Sequence, residues 1–566
     1  MAAATPGAGK TRLLTYKIAH LLSLNVHPSE ILALTFTNKA AKEMKHRAAM
    51  LHPLASSVWI GTFHSWCLQY LRNTGNKFTI CDDKTREVLI SEILEERGKD
   101  KIDYYLKMVD LISNYHIIPE NIKTQIEPDV SDIRDTYRSK LRDMCVFDFN
   151  ELLNSAYDHI KQHGITLPYK YVLVDEWQDT NQLQYEIIKL MTSAKITVTG
   201  DDDQSIYSWR GACYANTELF ISELKPQVFI IPGNYRSVAE ITTVCNRLIK
   251  YNQNRLPKEI IPFRKQTGEI VKWKFETGAQ EALAIAQDLK QKRPKSAAIL
   301  YRISSLSMDL EHALALYKIS YEVADGWSFF DRVEVRSLMS LMHYIVNPNT
   351  ELELLYFAKN AKIGLTSKRL KQLANDGIKA KAYLLQAQGK PTDHWMTKAA
   401  HLFNLIGNAD HSNKNIAHYM LHETGFRNIL QELDRTDRRD RTENADRFCN
   451  LIEDTITATK SLNSAMDYIM LSAKQPEEKD QHSIKLMTIH AAKGLEFGTV
   501  YVVGMEDGIM PHTRTKDIEE ERRLAYVAMS RAADRLILSS CKSRKIYKKT
   551  TLQDSQFLQE ALNENH

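Results

Sequence analysis

The beginning of the chain has residue types and spacing that suit the binding of nucleotide phosphates. The stretch Ala4-Thr5-Pro6-Gly7-Ala8-Gly9-Lys10-Thr11 follows the pattern of a phosphate-binding loop, with Ala4 where the first glycine usually stands. Gly7 and Gly9 allow the backbone to curl, so that its N–H groups face phosphate oxygens. Lys10 supplies a positive charge, and Thr11 offers a hydroxyl to Mg²⁺. For the loop taken alone, a glycine-rich turn that binds nothing is the alternative.

Two adjacent acids later in the chain fit the same chemistry. Asp175 and Glu176 follow the apolar residues 171–174, which predict a buried strand. One carboxylate at such a strand end can hold Mg²⁺, and the other can orient and deprotonate an attacking water. Acid pairs also arise by chance, so the prediction of a magnesium–nucleotide site depends on their combination with the loop.

A third polar segment, 200–212, follows the apolar residues 196–199. Within it, Gln204 is suited to sense a γ-phosphate. Tyr207 and Trp209 offer ring faces on which nucleobases can stack. The alternative for both rings is burial in the core.

Short apolar stretches must position these residues. Strand, turn and helix patterns alternate from residue 31 onwards, which predicts a parallel sheet with helices on both faces and ligands at the C-terminal ends of its strands. The residues that fall at such ends also include Phe36, Thr37, Thr62 and His64.

A second set of apolar strands, at 297–301, 485–489, 500–504 and 535–538, has no phosphate loop of its own. Charged helical sequence interrupts both sets. We therefore expect an α/β fold with two lobes, ATP in the cleft between them, and a helical insertion in each lobe. The expected boundaries are 1–80 and 146–226 for the first lobe, 81–145 for its insertion, 227–330 and 480–566 for the second lobe, and 331–479 for its insertion.

Composition narrows the class of protein. The 566 residues suffice for several domains, and the formal net charge of +5 is too close to balance to indicate nucleic-acid binding by itself. No apolar run reaches the length of a membrane span and no apolar leader precedes the loop, so we expect a cytoplasmic protein. The seven cysteines form no C-x-x-C pair, which argues against a zinc ribbon, an iron–sulfur cluster or a disulfide scaffold.

The residues before the loop form a weak candidate strand. Only Met1-Ala2-Ala3-Ala4 precedes the loop, and alanines bury little surface and have low β-propensity. In phosphate-loop folds a buried apolar strand occupies this place. We therefore expect that the natural start lies upstream and that this strand is missing.

Taken together, the motifs resemble those of superfamily 1 DNA helicases of the UvrD/Rep/PcrA type. The resemblance extends over essentially the whole chain. The matching stretches, in chain order, are 4–11, 35–41, 61–65, 175–180, 200–212, 234–237, 488–497 and 520–532.

The resemblance implies an ATP-driven motor that moves 3′ to 5′ on single-stranded DNA and acts at junctions of single- and double-stranded DNA, with ATP and Mg²⁺ as cofactors. It implies catalytic roles for Lys10, Asp175, Glu176, Gln204, Arg236 and Arg531, with Arg531 as an arginine finger. Mg²⁺ would be held by Thr11 and Asp175. Nucleotide contacts would come from Ala4, Thr5, Pro6, Gly7, Ala8, Gly9, Lys10, Thr11, Arg12, Tyr235, Arg236 and Glu496. DNA contacts would come from Phe36, Thr37, Asn38, Thr62, His64, Tyr207, Trp209, Arg210, Thr488 and His490.

The sequence also departs from the family pattern. No adenine-reading glutamine motif precedes the loop, which puts the preference for ATP in doubt. Lys362 stands where the duplex-contacting turn of the family, here 362–366, has a glycine, and a plain helix-connecting turn is the alternative. The strand-separating hairpin expected near 544–552 looks short and lacks an aromatic tip, so translocation is a safer prediction than strong unwinding.

Two other functions compete with a motor. One is a DNA-binding module with impaired ATP turnover because its N-terminal strand and its adenine-reading motif are missing. The other is a small-molecule kinase with a phosphate loop, against which the second, arginine-bearing lobe argues. The sequence names neither a pathway nor a loading partner, although DNA repair and replication are the natural settings for such a motor.

Overall fold

The computed structural model describes most of the chain. The described residues are 1–75, 78–81, 83–99, 101–115, 118–124, 126–207, 215–324, 329–348, 350–367, 369–370, 394–410, 413–437, 441–473, 483–515, 517–544 and 552–562. None of the helices in these ranges is both long enough and apolar enough to cross a membrane.

The strands of the described residues form two large sheets and two small ladders. In chain order they are β1 (Ala2–Ala4), β2 (Ile31–Thr35), β3 (Trp59–Thr62), β4 (Thr79–Ile80), β5 (Val146–Phe147), β6 (Tyr171–Val174), β7 (Lys195–Gly200), β8 (Phe229–Ile231), β9 (Gly233–Asn234), β10 (Ile261–Pro262), β11 (Glu269–Thr277), β12 (Ala297–Tyr301), β13 (Tyr321–Val323), β14 (Ile484–Thr488), β15 (Phe497–Val503) and β16 (Ala532–Ser543).

The α-helices alternate with these strands and fill the two intervening stretches. In chain order they are α1 (Lys10–Ser23), α2 (Asn38–Leu51), α3 (Phe63–Asn73), α4 (Asp83–Glu96), α5 (Ile102–Ser113), α6 (Glu120–Lys123), α7 (Val130–Asp143), α8 (Phe149–Gln162), α9 (Gln182–Lys189), α10 (Ala215–Leu224), α11 (Ala239–Ile249), α12 (Gly278–Lys292), α13 (Ser307–Leu316), α14 (Val333–Val346), α15 (Glu351–Asn360), α16 (Trp395–Gly407), α17 (Ile416–Glu423), α18 (Phe426–Asp437), α19 (Arg441–Thr459), α20 (Leu462–Ala473), α21 (Ile518–Met529) and α22 (Gln556–Leu562).

The two large sheets confirm the α/β fold with two parallel-sheet, RecA-like lobes. The first has the order β3-β2-β6-β7-β1-β8 and the second β11-β16-β15-β12-β14-β13, and the strand pairs in both are parallel. Alternate residues of β2 enter different cores: Leu32 and Leu34 one, Ile31 and Ala33 the other. Helices therefore cover both faces of the first sheet, as the chain order of strands and helices predicts.

Helices α4–α7 lie between the two strands of the small β4–β5 ladder and share a core of their own. Helices α14–α20 follow β13 and precede β14, and they enclose a separate and larger core. These are the two helical stretches that interrupt the lobes.

The expectation that the strand before the phosphate loop is missing is wrong. Ala2–Ala4 form β1, a short and fully buried strand between β7 and β8. Its backbone pairs on both sides, and that pairing does not depend on the size of the side chains. Three alanines therefore suffice where neighbouring strands supply the hydrogen bonds.

A single residue, Pro232, separates β8 of the first sheet from β9, which leads into the second lobe. The joint is hydrogen-bonded on both sides. The Pro232 carbonyl accepts from Thr5 Oγ1 at 3.0 Å and from the Ile261 N–H at 2.8 Å. The connection between the lobes thus runs directly beside the loop that follows β1.

Candidate active site

The turn between β1 and α1 has the conformation of a phosphate-binding loop. Gly7 and Gly9 lie in the left-handed region, with φ of 69° and 82°, where residues with a Cβ are strained. Among the described residues, no side chain caps the first turn of α1. Its N–H groups therefore present positive partial charge to an anion, and the loop wraps around that position.

The charged groups of the first lobe meet at the start of α1. Thr11 Oγ1 donates to Asp175 Oδ2 at 2.9 Å, and Thr199 Oγ1 donates to the other carboxylate oxygen at 2.8 Å. Lys10 Nζ lies 3.9 Å from Glu176 Oε2. A hydroxyl and a carboxylate in contact beside a lysine and a helix N-terminus are the donor set that Mg²⁺ and phosphate require, so the residues present fit both groups.

The pKa values of the two acids are shifted in opposite directions. Burial, together with the negative charge of Glu176, raises the pKa of Asp175 above its ordinary value. Burial acts the same way on Glu176, but the ammonium groups of Lys10 and Lys493 outweigh it and hold the pKa of Glu176 below its ordinary value. Glu176 is therefore ionised near neutral pH and can accept a proton.

The second lobe brings its arginines to this site. Arg531 is almost fully buried and donates from Nη2 to Gln204 Oε1 at 3.1 Å. Arg236 donates from Nε to Glu496 Oε2 at 2.8 Å and from Nη1 to the Ser530 carbonyl at 3.2 Å. Burial and the positive charge of Arg236 together lower the pKa of Arg531 to about 9. Arg531 of the second lobe thus engages an amide of the first lobe, and its charge interacts with that of Glu176.

Direct contacts join the second lobe to the loop. The Tyr235 N–H donates to the Gly7 carbonyl at 3.1 Å, and Asn234 Nδ2 donates to the Pro6 carbonyl at 2.8 Å. A Cβ at Gly7 would lie 2.8 Å from the Cβ of Arg236, so glycine is required there by close approach as well as by conformation.

An exposed aromatic pair flanks the same cleft. The ring of Tyr235 stacks on Phe263 with centroids 4.8 Å apart, and Tyr235 is 62% exposed. A cavity of about 640 Å³ opens beside it, lined among others by Arg236, Arg264 and Glu496. On the first lobe, Arg12 lies over the ring of Tyr16 at 5.3 Å. The exposed ring of Tyr235 and the polar groups that line the cavity beside it suit the base and sugar of a nucleotide.

Of the residues that the resemblance assigns to DNA, three form one cluster. Phe36 and Tyr207 stack at 5.5 Å with an interplanar angle of 16°, and the Tyr207 hydroxyl donates to the His490 carbonyl at 3.4 Å. Because Phe36 belongs to the first lobe and His490 to the second, the cluster spans the cleft. Trp209 and Arg210 lie outside the described residues.

For the remaining residues predicted to contact DNA, the structure shows contacts with their own neighbouring elements. Three of the threonine hydroxyls accept from backbone N–H groups: Thr37 from Ala40 at 3.1 Å, Thr62 from Ser65 at 3.2 Å, and Thr488 from Ala491 at 3.3 Å. Asn38 is exposed at the start of α2. His64 packs edge-on against the exposed ring of Phe149 at 5.6 Å, and burial lowers its pKa to about 4.

The structure adds a site residue that the sequence reasoning missed. Lys493 lies close to two groups of the first lobe, with Nζ 2.6 Å from Asp179 Oδ1 and 2.6 Å from the Gln204 carbonyl oxygen. The same ammonium lies 4.9 Å from the centroid of the Tyr207 ring. It stands within the 488–497 motif, but only the fold reveals what it contacts.

Two other predicted segments are the turn at 362–366 and the hairpin expected near 544–552. In the 362–366 turn, Lys362 and Gly364 have positive φ, and Ile363 and Leu365 are buried and anchor the turn to the insertion core. Of the expected hairpin, 545–551 lie outside the described residues. Arg544 at its base is buried between Glu281 and Glu506 and so belongs to the lobe core.

Comparison with known proteins places these motifs in context. Residues 1–225 match the model of the UvrD/REP helicase N-terminal domain, and residues 230–543 match that of the UvrD-like helicase C-terminal domain. The chain is 31% identical to the ATP-dependent DNA helicase PcrA of Leuconostoc citreum, over 98% of this chain and 81% of that protein. It is 30% identical to the PcrA helicases of Bacillus subtilis strain 168 and Staphylococcus aureus strain Mu50, with 82% and 84% of those proteins covered.

Proposed function

The chain belongs to the UvrD/Rep family of ATP-dependent DNA helicases, and from this premise we propose that it moves 3′ to 5′ along single-stranded DNA while it hydrolyses ATP. At junctions of single- and double-stranded DNA this movement separates the strands or displaces bound proteins, in DNA repair or replication. One observation carries the proposal: the phosphate loop, the two acids, Gln204 and the arginines of the second lobe converge on one cleft.

The first lobe binds the nucleotide phosphates in this proposal. The curled loop and the uncapped start of α1 hold the phosphate oxygens, and Lys10 neutralises their charge. Thr11 and Asp175 would hold Mg²⁺, which supplies charge neutralisation when it is bound. The contact of Thr11 Oγ1 with Asp175 supports this assignment, because it brings both oxygen ligands to one position.

Glu176 is the proposed general base. It is ionised near neutral pH and lies beside Lys10, so it can orient a water next to the terminal phosphate and accept its proton. Arg236 and Arg531 would stabilise the negative charge of the transition state, an effect worth about 10³–10⁵ in rate for arginine fingers. Both arginines belong to the second lobe, so hydrolysis requires the cleft to be closed.

Closure of the cleft would also move the proposed DNA-contacting residues relative to one another. Phe36, Tyr207 and His490 lie on the two sides of the same cleft, and the proposed role of the rings is to stack on bases. Lys493 connects this cluster to Asp179, which belongs to the motif that contains Glu176. A change of charge at the terminal phosphate can therefore become a movement of the lobes relative to the strand.

The alternative of a DNA-binding module without turnover depended on a missing strand and a missing adenine-reading motif. The presence of β1 speaks against the first of these two premises.

ATP hydrolysis with and without single-stranded DNA tests the proposal. We expect stimulation by DNA in the parent chain and loss of hydrolysis in both Lys10→Ala and Glu176→Gln, with DNA binding retained in each. Partial duplexes with a 3′ or a 5′ single-stranded tail test polarity, and only the 3′-tailed duplex should be unwound. DNA binding without hydrolysis in the parent chain would refute the motor, and preferential unwinding of the 5′-tailed duplex would refute the direction.

A further inference from the structure

A buried group of ions, here called the aspartate cluster, joins the two lobes behind the catalytic cleft. Its members are Asp201, Asp202 and Asp203 on the loop after β7 of the first sheet, and Arg255 and Lys258 on the segment after α11. Lys258 Nζ lies 3.2 Å from Asp201 Oδ1 and 2.9 Å from Asp203 Oδ2, and it also contacts Asp202. The three aspartates are at most 4% exposed.

The cluster is not electrically balanced within itself. Three carboxylates face two cations, and Arg255 is engaged by Asp203 through two hydrogen bonds at 2.8 and 2.7 Å. Lys258 is therefore the only member that compensates the charge of Asp201 directly. Buried carboxylates require a partner, so the position of Asp201 depends on this lysine.

Asp201 in turn fixes the amide of Gln204. Its Oδ2 accepts from Gln204 Nε2 at 2.6 Å, while Gln204 Oε1 accepts from Arg531 Nη2 at 3.1 Å. A glutamine amide can be placed in two orientations that exchange its donor and its acceptor. The acceptor at Asp201 Oδ2 and the donor at Arg531 Nη2 together select the orientation in which the amide oxygen faces the arginine.

We propose that Lys258 is a positioning residue for ATP hydrolysis, acting through Asp201 on the Gln204 amide that engages Arg531. The inference rests on the proposed roles of Gln204 and Arg531, and it adds the segment after α11 to the catalytic apparatus. Lys258 holds Asp201 in place through their ion pair, Asp201 accepts from the amide N–H, and the amide oxygen accepts from the guanidinium.

An isosteric pair of variants separates this role from a structural one. In Asp201→Asn only one oxygen remains, and Lys258 together with the Asp203 N–H requires it at the Oδ1 position. The new NH₂ group then faces Gln204 Nε2, so the Gln204 amide can pair with position 201 or with Arg531 but no longer with both. The matched control is Asp202→Asn, because Asp202 accepts from Lys258 and from the Leu256 N–H but does not contact Gln204.

Steady-state hydrolysis of ATP by the full chain with saturating single-stranded DNA measures the effect. We expect kcat to fall about tenfold or more in Asp201→Asn, the scale of one hydrogen bond to a charged group, with KM for ATP unchanged within about twofold. Asp202→Asn should keep the parent kcat. Equal kcat values in Asp201→Asn and the parent, or equal losses in the two asparagine variants, would overturn the proposal.

Lys258 itself is tested in a background that keeps the cluster charge constant. Lys258→Met with Asp202→Asn removes one charge of each sign, and its melting temperature reports whether it folds. If it folds, its kcat should fall as in Asp201→Asn, and an unchanged kcat would count against the proposal. If it does not fold, the isosteric pair decides alone.

A double-mutant cycle shows whether the effect passes through Gln204. In a Gln204→Ala background, Asp201→Asn should lower kcat by less than about twofold, because the amide it orients is gone. A full, multiplicative loss would mean that the aspartate acts independently and would overturn the inference. A parent-like kcat in Gln204→Ala alone would instead refute the proposed role of Gln204, so the two failures are distinguishable.

Discussion

Replacing Lys493 by methionine should uncouple ATP hydrolysis from DNA. The ammonium of Lys493 contacts Asp179 and the Gln204 carbonyl oxygen, each at 2.6 Å, and lies 4.9 Å from the Tyr207 ring centroid. Methionine has a similar length and can fill the space, but it can neither pair with the carboxylate nor attract the ring. The change therefore removes one charge that contacts both the proposed catalytic motif, at Asp179, and the proposed DNA-contacting cluster, at Tyr207.

The energetic consequence divides into two parts. Asp179 and Lys493 have side chains only 2% and 8% exposed, and removing one partner of a buried pair costs about 3–5 kcal/mol. Burial already raises the pKa of Asp179 to about 6 against the opposing charge of Lys493, so without the lysine Asp179 should be protonated near neutral pH. Coupling between sites typically amounts to about 1–3 kcal/mol, so we expect stimulation by DNA to fall about tenfold.

The assay is the ratio of ATP hydrolysis rates with and without single-stranded DNA, alongside the free energy of unfolding in urea. The control is Lys493→Met combined with Asp179→Asn, which removes the unpaired carboxylate. This double variant should recover about 2 kcal/mol of stability while its stimulation by DNA stays low. If Lys493→Met keeps the parent stimulation ratio, or if the double variant recovers that ratio together with its stability, the coupling argument is refuted.

Three further predictions follow from the described geometry. Tyr207→Ala should weaken the binding of single-stranded DNA by about 1–3 kcal/mol, measured by fluorescence anisotropy, and unchanged affinity would contradict stacking. Gly7→Ala and Gly9→Ala should each cost about 1–2 kcal/mol for positive φ, but only the first places a Cβ 2.8 Å from Arg236, so its urea midpoint should be the lower one. The folded-state pKa of His64, about 4, lies below its unfolded value of 6.5, so stability is lost as pH falls from about 6.5 towards 4. The loss should be about 2 kcal/mol at pH ~4.5 and absent in His64→Gln, and equal acid sensitivity would exclude His64 as its source.

Site residues that directly follow a strand could be predicted from the sequence. The loop at 4–11 and the acids at Asp175 and Glu176 belong to strand–turn–helix units, whose chain order fixes where their side chains emerge. The same reasoning placed Phe36 and Tyr207 at the carboxyl edge of one sheet, where the structure shows them stacked.

Long-range charge pairs were not predictable in this way. Lys258 stands in a polar stretch that suggests an exposed surface, yet it is buried against three aspartates more than fifty residues away in the chain. Lys493 pairs with Asp179 at a separation of 314 residues. Periodicity and motif spacing describe neighbours along the chain, whereas these pairs depend on how two lobes meet.

Two strands show the limits of side-chain patterns. The β11 strand, Glu269–Thr277, lies at the edge of the second sheet with much of its surface exposed, so its alternating polar residues gave no strong apolar signal. The β1 strand is buried, but its alanines have low β-propensity, so its sequence also gave only a weak strand signal. In both strands backbone pairing with neighbours decides the outcome.

The joint at Pro232 has a mechanical consequence. Because the Pro232 carbonyl accepts from Thr5, the segment that leaves β8 towards the second lobe starts out held against the first lobe. Tyr235 and Asn234 extend the attachment to the phosphate loop itself. A force that opposes the proposed movement along DNA would therefore reach the phosphate loop through these hydrogen bonds. The attachment at Pro232, Asn234 and Tyr235 thus gives an opposing force a direct route to the nucleotide pocket.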